Sequence, residues 1–391
     1  MRHLPFFLCL LLLAGCAAPQ RPTAPAAPET VLPATRETDP ETTEPTTVPP
    51  TTTPPDPIRE MLDEMTLEDR VGQLFLARCG STALENIETY HLGGFVLFGR
   101  DFENQDPDGI RMVLSSYQSA AKIPLLLAVD EEGGTVNRIS RFPAFRSYPF
   151  PSPRNAYSQG GLEYALSIEE EKCQLLASLG LNVNLGPVCD LSDDPSAFLY
   201  DRSLGLGARE TGEYVARAVS IKNSYRIGSA LKHFPGYGNN SDTHTGIAVD
   251  ERPLEEFIDQ DFVPFTAGIQ AGAGCILVSH TIVNALDPEA PASLSPAVHR
   301  YLRQEMGFDG VILTDDLVMQ AITDQYGAEE AAVLAVLAGN DLLCSSEYKT
   351  QYQAVLDAVI DGRIDIDTLD SAVRHVLQWK IDLGLIEEAH K

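Results

Sequence analysis

The chain has 391 residues, 44% of them hydrophobic and 21% charged, with a formal net charge of −28. Its 56 Asp and Glu against 28 Lys and Arg leave no basic footprint for a phosphate backbone, which excludes nucleic acid as a partner. Such a composition suits a globular chain long enough to bury a sizeable core, and the acidity reads as a solvated surface.

Residues 1–16 open on Met1-Arg2-His3, continue through an apolar stretch from Leu4 to Leu13 and end on Ala14-Gly15-Cys16. A basic start, a short apolar core and small residues at the end predict a secretory signal, too short to span a membrane as a mature helix. Leu13-Ala14-Gly15-Cys16 resembles the bacterial lipobox, which implies lipidation at Cys16 and a membrane contact through that anchor alone. Residues 17–57 are dominated by Pro, Thr, Ala and Glu without apolar periodicity, so a disordered tether is expected. Seven cysteines are scattered without a C-x-x-C pair, and Cys79, Cys173, Cys189, Cys275 and Cys344 are expected to be buried free thiols.

From residue 58 to 387 a single domain is expected. Apolar runs at 71–77, 93–98, 124–130, 181–190, 229–234, 275–280, 310–315 and 340–344 are rich in Val, Ile and Leu, as in parallel strands covered on both faces. Helical stretches lie between them, clearest at 329–337, 351–360 and 368–383. The last carries Leu369, Ala372, Val373, Val376 and Leu377 on one stripe and Gly384 just beyond its end. Eight strands alternating with helices predict an α/β chain, a single (β/α)8 TIM-type barrel. An open doubly wound sheet would want a glycine-rich phosphate turn after its first strand, and Leu76-Ala77-Arg78-Cys79-Gly80 is not one.

Barrel enzymes place their chemistry at the C-terminal ends of the strands. Here the third run ends in Asp130, the fourth in Asp190, the sixth in Ser279-His280 and the seventh in Asp315-Asp316, while the fifth contains Lys232-His233. This many ionisable strand ends predict a polar active site.

The segment Lys232-His233-Phe234-Pro235-Gly236-Tyr237-Gly238, followed by Asp242-Thr243-His244, resembles the signature of glycoside hydrolase family 3, in its β-N-acetylglucosaminidase branch. Four further segments match in order: Met65 to Gln73, Asp130-Glu131-Glu132-Gly133-Gly134-Thr135-Val136-Asn137-Arg138, Asp201-Arg202-Ser203, and Gly310 to Leu317. The resemblance implies a retaining exo-β-N-acetylglucosaminidase that forms a covalent glycosyl-enzyme on Asp315. It further implies that His244 is the proton donor, with Asp242 orienting and charging its imidazole, a group well matched to proton transfer near neutral pH. Asp130, Arg138, Arg202, Lys232 and His233 would grip the terminal sugar. Asp316 is the alternative nucleophile, or else a structural residue; Asp190 and His280 stand open between site and scaffold. Lys232 to His244 spans 12 positions, one fewer than the commonest family pattern, and Tyr237-Gly238-Asn239-Asn240 stands where a histidine and an aspartate are common.

The expected substrate is a GlcNAc-containing glycan such as a cell-wall fragment, met outside the cytoplasm by a membrane-anchored monomer. No cofactor and no metal are expected, since this chemistry needs none and the histidines have no zinc-ligand spacing. The competing readings are a β-glucosidase or β-xylosidase of the same family, which usually lack the Asp-x-His element, and a barrel that binds glycans without turnover. A metal-dependent amidohydrolase would want a His-x-His pair after the first strand, where there is none.

Overall fold

The structure, a computed structural model, describes residues 56–240 and 246–387. The expected signal peptide, the expected lipidation site Cys16, the expected tether up to residue 55, and Asp242 and His244 lie outside the described residues. The Asp56 carboxylate caps the helix Pro57–Glu64 by accepting from the Ile58 and Arg59 amides.

Eight parallel strands form one sheet: β1 (Phe75–Arg78), β2 (Gly94–Leu97), β3 (Leu126–Val129), β4 (Val183–Asn184), β5 (Gly228–Phe234), β6 (Cys275–Val278), β7 (Val311–Thr314) and β8 (Leu343–Ser345). Neighbours pair in chain order, and β8 returns to β1 through Phe75 with Leu343 and Leu76 with Cys344. A bridge between Leu313 and Leu342 joins β7 to β8 and closes the ring. The expected α/β (β/α)8 barrel is therefore observed.

The strands that differ most from expectation are β1 and β4. Val71 to Gln73 belong to the helix Leu67–Gln73, because Thr66 and Asp69 form a capping box that starts a helix there, and β1 begins only at Phe75. The fourth run pairs only at Val183–Asn184, since Pro187 lacks the amide hydrogen a ladder needs; Val188 rejoins the sheet as a single bridge to Lys232.

Alternation sorts the strand residues into two sets. Leu76, Val96, Leu126, Ala128, Val183, Leu185, Ala230, Leu277, Val311, Leu313 and Cys344 fill the barrel. Their neighbours, such as Phe75, Phe95, Leu127, Ile276 and Ile312, pack outward against the helices. The helix Ile366–Asp382 closes the N-terminal end of the barrel. Its Val376 and Trp379 belong to the interior cluster, and a side chain on Gly228 or Gly274, where β5 and β6 begin, would collide with the Trp379 ring. The five cysteines of the described residues are buried and free.

Lys380, on the same helix, is fully buried and donates to Gln73 Oε1 at 2.6 Å. Burial pulls its ammonium down to about 7 from the ordinary 10.5. The unfolded chain thus binds one more proton than the folded one between pH 7 and 10.5, and wild-type stability gains with rising pH across that window. Relative to wild type, Lys380→Met is expected to be most stable below pH 7 and to lose that advantage by up to ~1.4 kcal/mol per pH unit above it. Urea unfolding at pH 6, 8 and 10 checks this; a gap independent of pH contradicts it.

Candidate active site

Counting inward positions to the C-terminal end of each strand gives the layer at the barrel mouth. Leu76 leads to Arg78, Val96 to Phe98, Ala128 to Asp130, Ala230 to Lys232, Leu277 to Ser279, Leu313 to Asp315 and Cys344 to Ser346. Cys344, one layer below, senses this convergence. Burial, together with Asp316, Asp315 and Asp130, pushes its thiol well above the ordinary range, and Lys232 opposes the shift.

The centre of the site is an ionic cluster built from three segments. Lys232 Nζ lies 2.7 Å from Asp130 Oδ1 and 2.6 Å from Glu132 Oε1. Arg202, on the loop after β4, grips the same Glu132 in a two-pronged bond, Nε to Oε2 at 2.9 Å and Nη2 to Oε1 at 2.7 Å. Burial alone would raise the Glu132 carboxyl, but Lys232 and Arg202 outweigh it and hold the group far below the usual carboxylate range. Burial likewise opposes the charge on Lys232, and Asp130 and Glu132 more than restore it.

His233 faces the same cluster because the register slips between Leu231 and Phe234, so that two successive residues can turn inward. Its Nδ1 is 2.7 Å from Asp190 Oδ2 and its Nε2 is 3.1 Å from Arg202 Nη2. A guanidinium only donates, so Nε2 is the acceptor and Nδ1 carries the hydrogen directed at Asp190. Asp190 also accepts from the His233 and Tyr237 amides, so it fixes this turn from behind. Gly236, at φ 117°, completes the turn where a Cβ would meet Asp261 Oδ1 at 2.4 Å.

The loop after β3 is held with equal rigour. Buried Glu131 accepts from the Arg138, Ile139 and Ser140 amides and from the Ser140 hydroxyl. Gly133 (φ 101°) packs so closely that a Cβ would stand 2.1 Å from the Pro151 carbonyl. Lys172, itself buried with Glu169 and Lys222, donates to the Glu132 carbonyl at 2.6 Å. Arg154 anchors the loop that carries Arg202, donating to the Ser192 and Tyr200 carbonyls and to the Ser203 hydroxyl.

Asp315 follows β7. Its amide donates to the Val278 carbonyl at 2.9 Å, and its Oδ1 accepts from the Asp316 amide at 2.8 Å. Asp316 points away into scaffold duty: its carboxylate accepts from the Val318 and Ser346 amides and the Ser346 hydroxyl. Buried His280 hydrogen-bonds the Asp316 carbonyl at 3.0 Å and Ser293 at 2.7 Å, which steadies the same turn.

The structure thus brings Asp130, Arg202, Lys232 and His233 into one cluster, with Asp315 in the same mouth layer. Arg138 stands apart from that cluster, its guanidinium 5.8 Å from the Phe98 ring centre. Glu132, Arg154 and Phe98 were not singled out from sequence. Glu132 had a signal, as the acidic residue two places after Asp130; Arg154 and Phe98 had none. A cleft of about 1160 Å³ between the loops after β4 and β5 lies beside this cluster, lined by Arg154, Asp193, Asn240, Asp250, Arg252 and Asp261 among others, and not by Asp130, Lys232 or Asp315.

The family model of the glycosyl hydrolase family 3 N-terminal domain matches residues 66–379. A β-hexosaminidase of Nitrosomonas eutropha is 30% identical over 315 residues, 75% of this chain and 88% of that protein. The β-hexosaminidase LpqI of Mycobacterium tuberculosis is 31% identical over 327 residues, 80% of this chain and 82% of that one. Among solved structures, a family 3 β-N-acetylglucosaminidase from Paenibacillus sp. str. FPU-7 superposes with a TM-score of 0.77 at 30% identity. That match covers 84% of this chain and spans 64% of the Paenibacillus chain.

Replacing Glu132 by Gln removes the shared carboxylate and leaves Lys232 and Arg202 without the group that pairs both of them. A loss of ~3–5 kcal/mol in stability is expected, the usual result of stripping one partner from a buried ion pair. In wild type the depressed Glu132 contributes stability above the ordinary carboxyl value of 4.5 and loses it as pH falls below that. The gap between variant and wild type in guanidinium unfolding should therefore narrow below pH 4.5, and a gap that widens there contradicts the assignment.

Proposed function

The chain belongs to glycosyl hydrolase family 3, and from that membership we propose that it is a retaining exo-β-N-acetylglucosaminidase that works through a covalent glycosyl-enzyme on Asp315. It is a glycoside hydrolase of the β-N-acetylhexosaminidase type. The observation that carries the finer reading is the arrangement of Asp130, Lys232, Arg202 and His233 beside Asp315 at the C-terminal mouth of the barrel.

A sugar hydroxyl both donates and accepts. Asp130 offers only acceptors and Lys232 only donors, so the pair, 2.7 Å apart, can hold one hydroxyl from two sides. Arg202 and His233 present further polar edges, and Arg138 reaches the sugar from the β3 loop. With the ring so held, Asp315 attacks the anomeric carbon while His244, charged and oriented by Asp242, protonates the departing oxygen. The bond to the leaving group breaks as the bond to Asp315 forms. Water then attacks the anomeric carbon as His244 takes its proton, and the bond to Asp315 breaks, returning the carboxylate and releasing the free sugar.

Upstream, Cys16 is the lipid attachment site and residues 17–55 the tether, holding the enzyme outside the cytoplasm against β-linked GlcNAc at the ends of cell-wall fragments or related glycans. The wild type should release phenol from an aryl β-GlcNAc glycoside and prefer it to the glucoside and xyloside. Asp315→Asn should lower kcat/KM by roughly a thousandfold or more. His244→Ala should remove the alkaline fall of the pH–rate profile, which belongs to loss of the acid's proton. No release of GlcNAc by wild type sinks the activity; undiminished turnover by Asp315→Asn sinks the mechanism.

A further inference from the structure

Beyond β5 the chain runs into the segment assigned the proton donor, and one buried group of charges holds both ends of that segment. Asp250 and Asp261, each 2% exposed, are bridged by Arg252. Asp250 accepts from the Arg252 amide and Nε at 3.0 Å and from its Nη2 at 2.8 Å. Arg252 Nη1 donates to Asp261 Oδ2 at 2.8 Å, and the guanidinium lies 4.3 Å over the buried Phe257 ring. Three points of the outgoing chain rest on this group. A Cβ on Gly236 would meet Asp261 Oδ1 at 2.4 Å, and one on Gly238 would stand 3.0 Å from Arg252 Nη2. Asn240 donates its side-chain amide to Asp250 Oδ2 at 2.6 Å, across 10 positions of chain. The returning end is held as well. Val249–Asp250 pairs as a short parallel strand with Ile282–Val283, and the Ile282 and Asn284 amides donate to the Ala248 and Asp250 carbonyls.

Asn239 and Asn240 lie in the run that departs from the common family pattern, and both side chains are engaged in anchorage. Asn239 donates to Asp193 at 3.0 Å, which ties it to the loop after β4. The stem begins at His233 and Tyr237, whose amides donate to Asp190. A succession of side-chain ties thus leads from His233, beside the sugar, to Asn240, a few positions before His244. Tying both ends of a short loop removes many of the conformations open to what lies between. A general acid works only when it is held within hydrogen-bond reach of the departing oxygen. A guanidinium fork that engages two carboxylates also sets their spacing, which a compact ammonium does not. We propose that Arg252, acting through Asp250 and Asn240, is a positioning residue for the proton donor, clamping the ends of the segment that carries Asp242 and His244. The inference rests on the reading of His244 as the acid and adds to it the residues that aim it.

The test uses leaving groups that differ in their need for a proton. Dinitrophenolate departs without one, whereas phenolate is a poorer leaving group that gains from an acid. Loss of a general acid therefore lowers kcat/KM selectively for the phenyl glycoside. The ratio is measured on dinitrophenyl and phenyl β-GlcNAc glycosides with wild type, His244→Ala, Asn240→Ala and Arg252→Lys. Asn240→Ala, at a half-buried position, keeps the Arg252 ion pairs and removes only the tie to the loop. Arg252→Lys keeps the charge and loses the fork. Both should lose about tenfold or more on the phenyl glycoside and about threefold or less on the dinitrophenyl one, a milder form of the His244→Ala pattern. A merely structural role would lower both substrates by the same factor, since it changes only the fraction of folded enzyme. Equal losses, or none, in Asn240→Ala and Arg252→Lys beside a selective loss in His244→Ala overturn the clamp and leave the acid reading standing. Equal losses in His244→Ala itself overturn both. If Arg252→Lys does not fold, Asn240→Ala decides alone.

Discussion

The Glu132 carboxylate lies 2.6 Å from Lys232 Nζ and accepts two bonds from Arg202, away from solvent. Three segments far apart in the chain meet there: the loop after β3, the loop after β4 and the end of β5. A charge so buried is tolerated only when paired, and two cations against Glu132 and Asp130 give a balanced set. The balance positions each group. Lys232 is drawn between Asp130 and Glu132, and Arg202 is left with an edge toward His233. Asp190 orients the imidazole through Nδ1 and holds the turn that carries it through the His233 and Tyr237 amides.

The barrel separates this polar end from an apolar one. Trp379 and Val376 plug the N-terminal end, and branched aliphatic residues fill the layers above them. At the last inward position of six strands the side chains become ionisable or hydroxylated, at Arg78, Asp130, Lys232, Ser279, Asp315 and Ser346, while β2 ends in Phe98. Buried polar groups behind the mouth hold the loops rather than the sugar. Glu131 binds the backbone of its own loop, Lys172 the Glu132 carbonyl, and His280 and Asp316 the turn that presents Asp315.

Much of this was legible in the sequence because it is local. Each barrel strand left an apolar run, and Asp130, Lys232, His233 and Asp315 sit at or beside the ends of such runs. What was not legible depends on distant pairing. Arg202 meets Glu132 across 70 positions, and nothing at either position announces the other. The same holds for Arg78 and Phe98, which look in sequence like an ordinary strand end and an ordinary core aromatic. Periodicity also misplaced the start of β1, where a capping box at Thr66 overrides an apolar run, and the extent of β4, which Pro187 interrupts. Asp190 and His280, open from sequence, both proved to be buried supports.

Asp315 and Asp316 differ in surroundings although they are neighbours. The second is tied by its carboxylate to Val318 and Ser346, and burial raises it above the ordinary carboxyl value. The first belongs to the mouth layer with Asp130 and Lys232, which is where an anomeric carbon would be presented. The direct measurement of this division of labour is peptide mapping by mass spectrometry, after reaction with a fluorinated N-acetylglucosamine analogue whose glycosyl-enzyme turns over slowly. A single sugar attached at Asp315 is the predicted result. Attachment at Asp316, or turnover of the analogue with no covalent adduct, would contradict it.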